Sequence, residues 1–287
     1  MSYILEPYDD ALREILRKGV KKENRTGVGT IALFGMQRRY RIDENFPILT
    51  KRKVWPKSIF SELLWFISGS TLNRDLQALG ANIWTPWVDK KFEETNGYAD
   101  SAFGPVYGFQ LRYFGGNYAD GDTKNPDYGV GGFDQLAYMV ERLKTNPTCR
   151  RNLFSLWNPH DINSSRLPPC HYTFQVFVHE DKLTGMLTQR SCDFPIGIPA
   201  NIQFYSALIY MLAQQTGLKP YEFVHTTADS HIYLNQMEAV EQYLSRPAGD
   251  SPKLKLNQAA DILSYKPEDF ELVDYKPQMA ITIPVAV

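Results

Sequence analysis

Two stretches of this chain are too apolar to lie on a surface, and they constrain the fold more than any other feature. Ile59-Phe60-Ser61-Glu62-Leu63-Leu64-Trp65-Phe66-Ile67 reads as a nearly all-apolar helix carrying a single carboxylate. Residues 201–215 combine length with apolar content and predict a second buried helix, closed by Gly217. A helix that is apolar all round belongs in a core. Amphipathic helical spacing appears at Leu5, Tyr8, Leu12, Ile15, Leu16 and Val20. It returns at Leu136, Met139, Val140 and Leu143, ended by Asn146-Pro147. Strand-like runs cover 31–34, 154–157, 173–178 and 183–188, and Glu180-Asp181 predicts a turn folding the last two into an antiparallel hairpin. Residues 96–132 are rich in Gly, Asn, Asp and Tyr and read as long loops. A further helix is expected over 231–244, with short strands over 254–256 and 280–285. Helices and strands mix without regular βα alternation. The expectation is therefore an α+β fold, a mixed β-sheet with packed helices, in one domain spanning 1–287.

Bulk properties narrow the function. A chain of 287 residues can bury a substantial core, and 43% apolar with 22% charged residues is ordinary for a globular protein. A net charge of -1 provides no global pull toward nucleic acid or an anionic membrane. No apolar run approaches a membrane span, and Met1 to Glu6 lacks the layout of a signal peptide. The three cysteines, Cys149, Cys170 and Cys192, form no CxxC pair, so reduced thiols in the cytoplasm are expected. His225 and His231 lack the spacing of a metal site, and Gly129-Val130-Gly131-Gly132 reads as a turn rather than a phosphate loop, so no metal is expected.

The chemistry concentrates between Cys170 and Asn201. Cys170-His171 follows Pro168-Pro169, and Gln189-Arg190-Ser191-Cys192-Asp193 and Gly197-Ile198-Pro199-Ala200-Asn201 come soon after. A lone cysteine is more often a small buried hydrophobe. The predicted hairpin, however, returns Arg190 toward Cys170, and a nearby cation favours the nucleophilic thiolate. Glu62, in its apolar helix, should have a carboxyl pKa raised toward neutrality. Asn201 offers both a donor and an acceptor, a pattern that can read a polar heterocycle.

These segments, in chain order, resemble the thymidylate synthase family. The match includes Arg25-Thr26-Gly27-Val28-Gly29-Thr30, Ser61-Glu62-Leu63-Leu64-Trp65-Phe66, Gly104-Pro105-Val106-Tyr107-Gly108 and Cys149-Arg150-Arg151. It continues through the Cys170 and Arg190 segments to His231-Ile232-Tyr233 and Ile283-Pro284-Val285-Ala286-Val287. The resemblance implies that Cys170 adds to C6 of dUMP and that C5 accepts a one-carbon unit and hydride from 5,10-methylenetetrahydrofolate. It implies that Arg25, Arg190 and Ser191 hold the phosphate, with Arg150 and Arg151 reaching it from the partner of a homodimer whose interface is a sheet face. Asn201 would read the base, His231 and Tyr233 the ribose, and Glu62, Tyr107 and His171 would serve proton transfers. Asp193 would meet the pterin and pyrimidine. Ile83, Trp84, Trp87, Gly197 and Ala286 would line the folate site. Nucleic acid would not be required.

The sequence departs from the family pattern at Ala200, at Gln203-Phe204, at Thr227-Ala228, and at Arg52 and Trp55. Water or Phe204 could occupy the space beside Ala200. A sister reaction, in which water replaces hydride and leaves a hydroxymethyl group, is therefore the alternative. A regulatory RNA-binding protein on the same scaffold is a third reading, disfavoured by the lack of an Arg/Lys-rich tract.

Overall fold

The computed structural model describes residues 3–24 and 26–285. Its centre is a six-stranded sheet. Helix α1 (Glu6–Lys18) leads into β1 (Val20–Lys22) and β2 (Thr30–Arg41). A helical stretch follows: α2 (Pro56–Ser68), α3 (Asn73–Ala78), α4 (Lys90–Asn96), α5 (Tyr107–Arg112) and α6 (Gln135–Thr145). The chain then returns to the sheet through β3 (Leu153–Ser155), β4 (His171–His179) and β5 (Lys182–Asp193). Helix α7 (Gly197–Thr216), strand β6 (Lys219–Tyr233) and helix α8 (Met237–Ser245) come next. A small antiparallel ladder of β7 (Lys253–Leu256) and β8 (Phe270–Val273) completes the regular structure. Sheet order is β1-β2-β6-β5-β4-β3. Among the described residues only β5 and β6 pair in parallel, and α7 is the crossover between them.

That topology positions the site. The β4–β5 hairpin puts the start of β4 beside the end of β5, with His171 opposite Gln189. Parallel pairing then aligns the ends of β5 and β6, with Ser191 opposite Asp229 and Asp193 opposite His231. The loop before β4, the ends of two strands and the first turn of α7 therefore share one edge of the sheet.

The two faces of the sheet differ. Phe174, Val176 and Val178 of β4, Leu183 and Leu187 of β5, and Phe223 of β6 are buried beneath α7 and the other helices. Gly185 continues that inward row, and a Cβ there would lie 2.6 Å from Phe174 and 2.7 Å from Ile209 of α7. Gly185→Ala should therefore destabilise the protein by about 1–3 kcal/mol through overpacking, read as a lower denaturant midpoint at unchanged m-value. The opposite face carries Gln175, Phe177, Thr184, Met186 and Val224 around a cavity of about 540 Å³. Phe177 there is 65% exposed.

Several sequence expectations are met and others are not. The two apolar helices form as α2 and α7, the latter beginning at Gly197 and ending at Gly217 with φ 73°. Residues 96–132 are not all loop, since α5 lies within them. The helix expected over 231–244 begins six residues later than expected. His231 to Tyr233 ends β6, a 3-10 turn follows at Leu234–Gln236, and α8 begins at Met237. The segment 280–285 joins no ladder.

Candidate active site

Cys170 precedes β4 and its backbone is held on both sides. Its N–H donates to the Tyr107 hydroxyl at 2.8 Å, and its carbonyl accepts from the Arg190 N–H at 2.8 Å. The Arg190 guanidinium donates to the carbonyls of Pro168 (2.8 Å) and Pro169 (2.9 Å) and stands 3.9 Å from the Cys170 sulfur. It also lies over the Trp157 ring, 5.3 Å from the centroid. The hairpin thus delivers the cation to the thiol, as the sequence predicts.

Behind the thiol lies an aromatic wall. Phe66 stacks on Tyr107 with centroids 4.7 Å apart, and Tyr107 lies 4.5 Å from the His171 ring. His171 is buried and shares a 2.7 Å hydrogen bond from Nδ1 to the Tyr205 hydroxyl. Burial, with His225 nearby, pushes its pKa down to about 3, so the imidazole is neutral at physiological pH. Phe204 is buried against Phe66 (5.2 Å) and His171 (5.9 Å), and so extends this wall. Ala200 remains partly exposed.

Glu62 projects from α2 beside this wall, and its carboxyl is surrounded by protein although part of the residue reaches solvent. Desolvation raises its pKa to about 7, against the opposing effect of a 2.5 Å hydrogen bond donated by the Trp84 indole. A carboxyl that gains and loses a proton near neutrality suits proton transfer. Trp84, expected only as a folate contact, thus also holds the Glu62 carboxylate.

Asn201 is oriented by a polar chain running under α7. The His225 ring and Gln189 Oε1 meet at 2.9 Å, and Gln189 Nε2 donates to Asn201 Oδ1 at 3.1 Å and to the Ser191 carbonyl at 3.0 Å. Burial holds His225 neutral, its pKa pushed down to about 3. The Asn201 carboxamide retains its NH2 and one acceptor lone pair for a ligand. Gly197 faces open space, where an added Cβ would meet only Asn201 Oδ1 and Asp193 Cβ, both at 3.9 Å. Asp193 is half-buried, and desolvation raises its pKa.

The arrangement is a thiol beside a cation, a neutral carboxamide, a buried carboxyl of near-neutral pKa and an indole that holds it. A family model described as thymidylate synthase matches residues 6–287. This chain belongs to the thymidylate synthase family. It is 44% identical over 280 residues to a thymidylate synthase of human herpesvirus 8 type P (isolate GK18), covering 96% of this chain and 82% of that protein. The Homo sapiens thymidylate synthase is 42% identical over 284 residues, covering 98% and 90%. A bifunctional dihydrofolate reductase-thymidylate synthase of Paramecium tetraurelia is 42% identical over 283 residues, which are 61% of its length.

Within this thymidylate synthase fold the remaining expected residues take clear places. Ser191 and Asp193 lie at the end of β5, and His231 and Tyr233 lie at the end of β6. The His231 and Tyr233 rings are 5.2 Å apart at 85°, and His231 Nδ1 lies 3.0 Å from Asp229. Trp84 and Trp87 meet edge-on at 6.2 Å, with Ile83 packed alongside the core. Arg150 and Arg151 are exposed and stand apart from this cluster: Arg150 lines the cavity on the outer face of the sheet. Arg25, Ala286 and Val287 lie outside the described residues. Among the departures, Arg52 is buried and donates to the Pro195 carbonyl at 2.7 Å, Thr227 accepts from Ser230 at 2.8 Å, and Trp55 is exposed. Among the described residues, no group of three or more His, Cys, Asp or Glu is placed to hold a metal, and no helix is long and apolar enough to cross a membrane.

Sequence reasoning missed Gln189, Tyr205, His225 and Gln236. Gln189 had a signal. It follows Leu183, Gly185 and Leu187 at the inward positions of β5, where a carboxamide needs buried partners.

Proposed function

We propose that Cys170 is the nucleophile of a thymidylate synthase that converts dUMP and 5,10-methylenetetrahydrofolate to dTMP and dihydrofolate. Membership of the family makes the chain a methyltransferase of dTMP biosynthesis that uses this folate as co-substrate. The observation that carries the residue assignment is the Arg190 guanidinium 3.9 Å from the Cys170 sulfur, with Gln189, next to Arg190 on β5, bonded to Asn201.

Cys170 adds to C6 of the pyrimidine, and the electron pair released at C5 makes that carbon nucleophilic. Asn201 donates to O4 and accepts from N3–H, a pairing that selects uracil over cytosine. Arg190, Ser191 and Arg25 hold the 5'-phosphate, and His231 and Tyr233 hold the ribose. Arg150 and Arg151 reach the phosphate from the partner of a homodimer. The outer sheet face supports that reading, because an aromatic there as exposed as Phe177 favours coverage. Glu62 moves protons near O4 through the neutral His171 environment, and Tyr107 assists loss of the C5 proton.

The residues suit a reduced folate: Trp84, Trp87 and Ile83 would offer it apolar surface, Gly197 adds no side chain beside Asn201 and Asp193, and Asp193 would offer a carboxylate to the pterin. When bound, the folate supplies the one-carbon unit and the hydride. The chain's own part is to orient C5, exclude water and close the cleft with its C-terminal residues, including Ala286. The enzyme works in the cytoplasm as a single domain spanning 1–287.

With purified protein, dUMP and methylenetetrahydrofolate, absorbance at 340 nm should rise as dihydrofolate forms, and mass analysis should find methylated nucleotide. A hydroxymethylated nucleotide without the rise would mean that water wins the second step, and would overturn this reading.

A further inference from the structure

Gln236 is completely buried at the end of the 3-10 turn between β6 and α8, and its carboxamide joins three parts of the site. Its Oε1 accepts from the Tyr233 N–H at 3.1 Å. Its Nε2 donates to the Pro284 carbonyl at 3.0 Å and faces both oxygens of Asp193 at 3.4 Å. The segment after β8 lacks regular structure and is held by isolated bonds. Gln278 donates to the carbonyls of Thr50 and Pro247, and Arg246 donates to that of Met279. Beyond Met279 the hydrogen bond that holds it, among the described residues, comes from Gln236.

We propose that Gln236 is a positioning residue that couples docking of the C-terminal segment to the orientation of the Asp193 carboxylate, so that tail closure and folate binding reinforce each other. A carboxamide NH2 has two protons, so one N–H can serve the Pro284 carbonyl while the other serves the Asp193 carboxylate. When the tail docks, Pro284 fixes the direction of the amide and the second N–H is aimed at Asp193. When the tail leaves, the amide can rotate and the carboxylate loses its directed donor. Because Oε1 is tied to Tyr233, the same rotation reaches the end of β6. Coupling through a shared group is reciprocal: whatever tightens the tail tightens folate, and the converse. The inference rests on the reading of Asp193 as a folate contact.

The test measures three quantities on the full-length enzyme: the KM for methylenetetrahydrofolate, the Kd for dUMP, and hydrogen exchange across residues 276–285 with dUMP and dihydrofolate bound. Gln236→Leu removes both bonding functions, and Gln236→Glu keeps the shape and the acceptor to Tyr233 but replaces the donor. Both should raise the folate KM about tenfold, a usual strength for coupled sites. Both should abolish the ligand-induced exchange protection of 276–285, and Gln236→Glu, which keeps the acceptor to Tyr233, should hold the dUMP Kd within about twofold. The acidic limb of the folate KM profile should also move to higher pH, because Gln236 opposes the upward effect of burial on Asp193. His231 and Arg52, which also act on that carboxylate, are unchanged in the variants. If the leucine variant does not fold, the glutamate variant decides alone. Wild-type folate KM and protection in the glutamate variant would overturn the proposal. Asp193→Asn separates the two readings: a wild-type folate KM there removes the folate role of Asp193 itself, whatever Gln236 does.

Discussion

Cys170→Ser should lose dTMP formation by about 10⁴-fold or more in kcat, a scale set by removal of nucleophiles that act as part of a unit. The loss should lie in chemistry, with dUMP binding kept within about a factor of three, since the geometry around the residue belongs to its backbone. Tyr107 accepts from the Cys170 N–H and Arg190 donates to its carbonyl, and neither bond involves the sulfur. A hydroxyl in that place is a far weaker nucleophile than a thiol, and a cation nearby cannot convert it to alkoxide as it favours thiolate. The other cysteines sharpen the expectation. Cys192 is fully buried and burial pushes its pKa up, so it remains a neutral thiol. At Cys149, a hydrogen bond from the Arg151 backbone and then Arg142 lower the pKa, but that thiol lines the outer face of the sheet with Arg150. Turnover at 340 nm together with dUMP titration by calorimetry is the measurement. Residual activity within tenfold of wild type would remove Cys170 from the reaction.

What could be read from the sequence divides along the range of the interactions. Helix α7 and the β4–β5 hairpin were legible because their signals are local: an apolar run closed by Gly217 and a turn at Glu180-Asp181. Strand β6 was not. Its run of Thr226, Thr227, Asp229, Ser230 and His231 looks too polar for the middle of a sheet. It is stable there because its ladders with β2 and β5 satisfy the backbone and Gln189 satisfies His225, partners distant in sequence. Helix α5 is too short to show a period within its Gly-rich surroundings. The segment 280–285 has strand-like composition but joins no ladder, and the buried Ile281 and the bond from Gln236 to the Pro284 carbonyl hold it instead. The same division holds in the site. Cys170, Arg190 and Asn201 stand in a short stretch and could be proposed together. The chain from His225 through Gln189 to Asn201 crosses three elements, and only an inward-facing Gln189 hinted at it.

Glu62→Gln should move activity and stability in opposite directions, which no purely structural role for Glu62 predicts. Activity should fall about 10²- to 10³-fold, because an amide cannot exchange a proton with the substrate. Stability should rise at neutral and alkaline pH. Burial raises the carboxyl pKa from 4.5 to about 7. Below pH about 4.5 the group is neutral in folded and unfolded chains alike and costs nothing. As pH rises from 4.5 toward 7 the unfolded chain ionises while the folded chain resists, so the wild type loses stability across that window. Above pH about 7 the penalty levels off near 3 kcal/mol, an order-of-magnitude figure from the size of the shift. Glutamine does not ionise, and its carbonyl oxygen still accepts from the Trp84 indole, so the variant avoids the penalty without orphaning that donor. The wild-type-minus-variant difference in unfolding free energy should therefore be small at pH 4 and grow through pH 7. Urea unfolding at pH 4, 6 and 8 for both proteins measures it, and a difference flat with pH would mean that Glu62 ionises as an ordinary solvated carboxylate. Such an outcome would also remove the physical ground for its role as a proton carrier near neutrality. A difference that grows with pH, beside a collapse in kcat, would mean the fold gives up stability at Glu62 to hold a proton where the chemistry needs it.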